Sequence, residues 1–317
     1  MARIPAAVAV VRQAVRRSLP DDGLVLVACS GGADSLALAS AARFVRRGAV
    51  GLVTVDHGLQ EGSAARASSV ASWALDAGFD PVEVATVSVA GLPGGPEAAA
   101  REARYEALSA VASQVGAVAV LLGHTRDDQA ETVLLALARG AGPRGIAGMP
   151  AVRGIFLRPL LDVGRADTRK ACAAQGLVPW DDPHNVDPAY ARSRVRGDAL
   201  PALVEALGPA VVGNLARTAG QIAADNTALD ALARDALLSA YDGPGLDISV
   251  LSALVGAIRT RVLHAWAREL GASGSALSHR HVEALDALIT DWRGQGPVHL
   301  PGAIRVARVR GRLVRVA

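Results

Sequence analysis

LVLVACSGGADSLAL, residues 24–38, is the stretch on which the fold turns. Leu24–Cys29 is a short apolar run of strand type, and a helical pattern covers Asp34–Arg47. Between them, Ser30-Gly31-Gly32-Ala33 is the only connection. A strand that breaks at two glycines and opens at once into a helix makes an anion cradle. Glycine lets the backbone approach a ligand and take positive φ. The helix N-terminus offers unpaired N–H groups and a partial positive charge. The hydroxyls of Ser30 and Ser35 add donors. Asp34 would repel a bare phosphate, and it fits the place if a Mg²⁺ ion bridges it to phosphate oxygens. The loop has neither GxxxxGK[ST] nor GxGxxG. An ordinary βα turn in which Ser and Asp cap the helix is the competing reading of these residues alone.

The pattern repeats outward from this stretch. Strands are expected at Val50–Asp56, Val82–Val87 and Ala117–Leu122, and one more at Ile155–Leu161. Helices are expected at Ser63–Gly78, from Glu97 to about Val115, from Asp127 to Arg139 and from Val163 to Ala174. Short strands alternating with helices give βαβ units and a parallel sheet. Ligands on such sheets sit at the carboxyl ends of the strands. Arg139–Gly154 reads as a long Gly/Pro-rich loop of functional length. After about Leu200 the pattern becomes helical: Pro209–Tyr241, Val250–Leu270, and Ser278–Trp292 with Ser278 as N-cap. Val298–Ala317 reads as two strands turning at Gly302 or Gly311. Two domains are expected, residues 1–200 and residues 201–317, the second smaller and mainly helical and ending in a short β-hairpin.

Composition narrows the function class. The chain has 317 residues, about half of them apolar, enough for a core without disulfides or metal. Cys29 and Cys172 stand far apart with no CxxC, against a disulfide framework, a zinc site or an iron–sulfur cluster. Lys170 is the only lysine among 33 basic residues. Arginine enrichment follows either from GC-rich coding or from phosphate contact. A pI near 9.3 fits a nucleic-acid partner. The N-terminal stretch carries Arg3, Arg12, Arg16 and Arg17 and reads as an amphipathic helix. No membrane span is expected, and the expected location is the cytoplasm.

Further motifs stand at the predicted strand ends. VDHGL (55–59) puts Asp56 and His57 at one. AREARY (100–105) puts Arg101, Arg104 and Leu108 on one helix face. GHTRDDQAET (123–132) places Gly123, His124 and Asp128 at another. Arg192, Arg194 and Arg196 alternate, as do Arg308, Arg310 and Arg312, which in a strand would share a face. The last fifteen residues hold five Arg and no acid. A solvated, charge-protected edge strand would look the same.

Together SGGADS, VDHGL, AREARY, GHTRDDQAET, RGAGPRGIAGM (139–149), RPLL (158–161) and WDDPHN (180–185) resemble the tRNA(Ile)-lysidine synthetase family of the PP-loop ATP pyrophosphatase superfamily, in order and spacing over about residues 20–200. LPGAIRVARVRGRLVRV resembles the closing strands of that family's second domain. The sequence departs at Gln60 and His184, where the pattern has Arg and Ser. Trp180 stands one residue closer to Asp-Pro, and the chain is shorter than members with an extra C-terminal domain.

The resemblance implies an α/β fold with a parallel-sheet PP-loop domain of Rossmann type. It implies a C–N ligase that adenylates the oxygen on carbon 2 of the wobble cytidine of a CAU-anticodon tRNA(Ile) with ATP and Mg²⁺. Free L-lysine then displaces AMP. It further implies an ATP site of Ser30, Gly31, Gly32, Ala33, Asp34, Ser35, Asp56, His57 and Gly123. Asp34 would be the Mg²⁺ ligand, and Arg104, His124 and Asp128 the catalytic partners, with Asp128 anchoring or deprotonating the lysine amine. tRNA contacts would come from Arg192, Arg194, Arg196, Arg308, Arg310 and Arg312. A homodimer is an open alternative. Another PP-loop amidating or tRNA-modifying ligase is the nearest rival.

Overall fold

The computed structural model describes residues 4–46, 48–56, 58, 62–87, 96–182, 187–274 and 276–316, with backbone alone for 96–100. The chain divides into two compact units, Met1–Ile222 and Ala223–Ala317.

The first unit is built on a six-stranded sheet. Its strands are β1 (Leu24–Ala28), β2 (Val50–Asp56), β3 (Val82–Thr86), β4 (Ala117–Leu122), β5 (Val152–Arg153) and β6 (Phe156–Leu157), in the order β3-β2-β1-β4-β6-β5. All pairs are parallel except β5–β6 at the edge. Side chains alternate between the faces. Val25 and Val27 of β1 join Ala119 and Leu121 of β4 in one core with helices α1 (Ala6–Ser18), α2 (Ala33–Val45) and α7 (Arg165–Ala173). Leu26, Val53, Val120 and Leu122 face the other way, onto Leu108 and Ala112 of α4 (Pro96–Gln114). Burial on both faces explains why these strands are apolar throughout. The N-terminal helix is amphipathic as expected, burying Val8, Val11, Ala14 and Val15.

The strand order places the site. The chain leaves β1 for β2 on one side and returns to β4 on the other, so the ends of β1 and β4 diverge into a crevice. Helix α3 (Ser63–Asp76) follows β2, and α5 (Arg126–Ala138) follows β4.

In this unit three expectations change. The strand expected at Ile155–Leu161 shortens to β6, because Pro159 has no N–H for a ladder; Arg158 N makes the last hairpin bond, 2.8 Å to Ala151 O. The Gly/Pro loop holds a short helix, α6 (Pro143–Ile146), and is fastened at Met149. There Gln129 of α5 accepts from Met149 N at 2.7 Å and donates to Met149 O at 3.0 Å. The segment with Arg192, Arg194 and Arg196 is helical, α8 (Ala191–Arg194) followed by one π-turn over Val195–Ala199. Helices α9 (Leu200–Leu207) and α10 (Ala210–Ala240) follow.

In the second unit the core gathers Leu237, Leu246, Val262, Leu263, Trp266, Leu285, Leu288 and Leu313. A five-stranded antiparallel sheet runs β7 (Tyr241–Asp242), β8 (Gly245–Asp247), β11 (Arg312–Val316), β10 (Ile304–Val309), β9 (Val298–Leu300) in spatial order. The expected closing hairpin is β10–β11, and both Gly302 and Gly311 turn the chain. The helix expected over Val250–Leu270 is two, α11 (Ile248–Ala253) and α12 (Gly256–Glu269). Leu254 and Val255 are extended, and Arg259 Nη1 satisfies the Leu254 carbonyl at 2.8 Å. Ser278 caps α13 (His279–Thr290). Among the described residues no single helix is long and apolar enough to cross a membrane.

Candidate active site

A cleft of about 400 Å³ opens at the carboxyl ends of β1 and β4. The loop after β1 supplies Ser30 and the first turn of α2. Gly31 takes φ +83°, which a side chain would strain, and its carbonyl accepts Trp180 N at 3.0 Å. Ser35 is buried. Its hydroxyl donates to Gly32 O at 2.9 Å and accepts from Ser30 N at 3.2 Å, so the loop is set before any ligand arrives. Gly123, at the end of β4, lies against that turn. A Cβ there would stand 3.1 Å from Ser35 N and 3.2 Å from Asp34 O. We expect Gly123→Ala to displace the cradle and raise KM for ATP about 10-fold, since small misplacements at a reacting centre are costly. An unchanged KM in steady-state kinetics would show the contact to be idle.

Asp34 reaches from the first turn of α2 to α7. It accepts a short hydrogen bond from the buried Thr168 hydroxyl and lies 3.8 Å from Arg165 Nε. Burial, reinforced by the charge of Asp128, lifts its carboxyl to about 6 against the pull of Thr168 and Arg165.

Asp128 is the third residue of α5. Its Oδ2 accepts from the Thr125 amide and hydroxyl, both at 2.8 Å, and its Oδ1 accepts from Arg165 Nη2 at 2.8 Å and Arg196 Nη2 at 3.2 Å. Burial opposes its charge, but Arg165 and the Thr125 donors outweigh burial and hold the carboxyl below its ordinary value. A carboxylate so held is a weak base, so the expected role of deprotonating an amine does not fit it. One turn on, Glu131 is fully buried (0 % exposed) and meets Arg165 at 3.0 Å, Arg196 at 2.8 Å and Arg192 at 3.6 Å.

His124 borders the cleft with its Nδ1 buried and unpartnered among the described residues. Burial pushes the imidazole down to about 4, so it is neutral at pH 7. Arg66, Arg101, Arg104 and Arg169 add positive charge around the rim, and Arg66 stacks 3.3 Å over the Trp180 ring.

The cleft thus gathers Ser30, Gly32, Ala33, Asp34, Ser35, Arg104, Gly123, His124, Asp128 and Arg196 of the residues expected from sequence. Asp56 sits at the end of β2 and turns the chain by accepting Gly58 N at 3.0 Å. His57 lies outside the described residues. Arg192 and Arg196 are four apart on a helix, both turned to Glu131, and Arg194 donates to Pro188 O at 2.6 Å and Ala189 O at 3.1 Å. In the other unit Arg308 donates to Leu288 O at 3.0 Å, and Arg312 pairs with Asp242. Arg310 is the left-handed turn residue between β10 and β11, with φ +48°. Neither triplet forms one strand face, because a turn or a helix replaces the period of two. Arg165 and Thr168, central to the site, had no signal beyond a polar run after Gly164.

The chain is similar to known proteins. A PP-loop domain model matches residues 8–203, and a model described as the TilS substrate binding domain matches 246–314. A tRNA(Ile)-lysidine synthase of Salinispora tropica is 65% identical, covering 100% of this chain and 98% of that one. One from Thermobifida fusca is 56% identical over 98% of both. Among solved structures, a U34-tRNA thiolase from Methanococcus maripaludis aligns with a TM-score of 0.55 at 18% identity, covering 68% of this chain and 79% of that one, a likeness of fold.

Proposed function

Because this chain belongs to the tRNA(Ile)-lysidine synthase family, we propose that it joins the ε-amine of free L-lysine to carbon 2 of the wobble cytidine in CAU-anticodon tRNA(Ile). The chain is a C–N bond-forming ligase of tRNA(Ile) that uses ATP through a PP-loop. The observation that carries the site reading is the shared cleft: the preset Ser30–Ser35 cradle and Asp34 stand beside His124 and Asp128 at adjacent strand ends.

The chemistry is activation of a poor leaving group. The C2 oxygen attacks the α-phosphorus of ATP, and pyrophosphate leaves. The lysine nitrogen then attacks C2, the C–O bond breaks, AMP departs with that oxygen, and a proton is released from nitrogen. In our reading the N–H groups of Gly32–Ser35 and the Ser30 hydroxyl hold the β- and γ-phosphates, while the Ser35 hydroxyl keeps the loop in shape. Arg104 meets the charge that develops at the α-phosphate. Neutral His124 has a ring nitrogen to spare for the cytosine. Asp128, ionised and fixed, attracts the lysine ammonium, and the proton passes elsewhere.

Among the described residues no group of three His, Cys, Asp or Glu side chains could cage a metal. That suits Mg²⁺, which binds through one or two carboxylates plus substrate phosphates. Asp34 fits as that carboxylate. The ion would neutralise phosphate charge. Below about pH 6 Asp34 takes up a proton, so kcat/KM for ATP should fall as pH is lowered through that value, while His124, at about 4, adds no limb between pH 5 and 8. A flat profile of tRNA-dependent AMP release would remove Asp34 from ATP binding.

We assign catalysis to residues 1–200 and tRNA binding to 201–317, in a cytoplasmic enzyme. Labelled lysine should enter an unmodified CAU-anticodon tRNA(Ile) transcript only with ATP. AMP release with a different acceptor would point to another PP-loop ligase.

A further inference from the structure

Beside the cleft lies a second hollow of about 250 Å³, lined by Arg101, Thr132, Leu135, Ala136, Arg139 and Arg192. We propose that it seats a backbone phosphate of the tRNA strand that feeds the cleft. This rests on the reading that tRNA is the substrate.

Among the described residues three guanidinium groups border the hollow and no carboxylate does. Like charges brought together around a void repel one another unless an anion is placed between them, and the guanidinium fork matches phosphate oxygens in pairs. Arg192 is held ready. Its Nη2 donates to Thr132 Oγ1 at 2.9 Å, and its Nε, 3.6 Å from Glu131 Oε2, is buried without a hydrogen-bond partner. Glu131 gives its closer contacts to Arg165 and Arg196, so it neutralises Arg192 only in part. Arg139 is the C-cap of α5, is exposed, and lines the hollow as well.

Arg101 ties the hollow to the reaction, because it lines both this hollow and the cleft. A nucleotide in the cleft would have its neighbouring phosphodiester within reach of Arg101, with Arg139 and Arg192 beyond. The three arginines come from α4, from the end of α5 and from α8, so the grip forms only in the folded unit. Pyrophosphate leaving the cleft is the other anion that could lodge there, and the experiment separates the two.

The test uses the full chain and the unmodified CAU-anticodon tRNA(Ile) transcript, with affinity measured over a range of salt. Arg139→Ala should weaken binding about 10-fold, Arg139→Glu more, and Arg139→Lys least. The slope of log K against log salt should become shallower by roughly 0.7 to 0.9 for the lost contact. Arg101→Ala should act in the same direction. KM for tRNA should rise in the Arg139 variants while KM for lysine and ATP stays put. Arg139 is exposed, so a folded variant is expected, and circular dichroism verifies it. Unchanged tRNA affinity and salt slope in Arg139→Glu would overturn the proposal. So would weaker product inhibition by pyrophosphate with tRNA affinity intact. If the wild-type chain makes lysidine, either result counts against the hollow alone; if it makes none, the functional reading itself fails.

Discussion

Asp34→Asn is expected to cost about 10²–10³-fold in tRNA-dependent AMP formation, the scale on which removal of a preorganised group acts, while making the fold more stable at pH 7.5. The two effects share a cause. Burial lifts the Asp34 carboxyl to about 6, so the folded state holds its proton more tightly than the unfolded chain does. The sign follows from linkage: this stability is fully present below about pH 4 and is lost as pH rises through about 6. At pH 7.5 the ionised group therefore works against folding. Raising a carboxyl that far corresponds to about 3 kcal/mol. With 25% of the side chain exposed, solvent lessens this, and we expect Asn to return about 1–2 kcal/mol. Asn keeps an oxygen for the Thr168 hydroxyl. Thermal melts at pH 7.5 and pH 5 check it: the gain should be present at the first and smaller at the second. An active Asp34→Asn enzyme would remove the carboxylate from the chemistry.

The largest loss of stability is expected at Glu131. This carboxylate is wholly enclosed, and three arginines converge on it: Arg165, Arg192 and Arg196. Glu131→Gln keeps the shape, removes the charge, and turns an amide donor toward guanidinium donors. Breaking a buried ion pair by removing one partner costs about 3–5 kcal/mol. For a unit of this size that is a drop in Tm of roughly 10 °C. Glu131→Gln combined with Arg196→Met should lose less than the sum of the two single changes, because the residues share one network. Equal melting of Glu131→Gln and wild type would mean that the arginines are solvated independently of it.

The parts legible in sequence were those whose cause is local. Val25, Leu26 and Val27 make a strand buried on both faces; the glycines after it admit only a turn; and Ser278 caps its helix as its position suggests. That the Ser30–Ser35 loop, His124 and Asp128 come together in one cleft was likewise legible from their places at predicted strand ends. What stayed hidden depends on distant partners. Thr168 meets Asp34 across 134 positions of sequence, and nothing near either residue announces the other. Alternating arginines at 192, 194 and 196 fit a strand as a pattern, yet Glu131 draws the first and third onto one side of a helix. At 308, 310 and 312 the same alternation straddles a hairpin turn. The strands Tyr241–Asp242 and Gly245–Asp247 are too short to carry a period and exist because β11 pairs with β8. Leu254–Val255 breaks a helical pattern of the right composition because Arg259 satisfies the backbone there.

If the cleft activates the cytidine by placing AMP on its C2 oxygen, that oxygen must leave with the AMP. The direct measurement uses a CAU-anticodon tRNA(Ile) carrying ¹⁸O at carbon 2 of the wobble cytidine, incubated with the chain, ATP, Mg²⁺ and lysine. The ¹⁸O is expected to leave in AMP, one label for each lysine incorporated. Lysine incorporation with unlabelled AMP, the ¹⁸O remaining in the tRNA or passing to water, would contradict it.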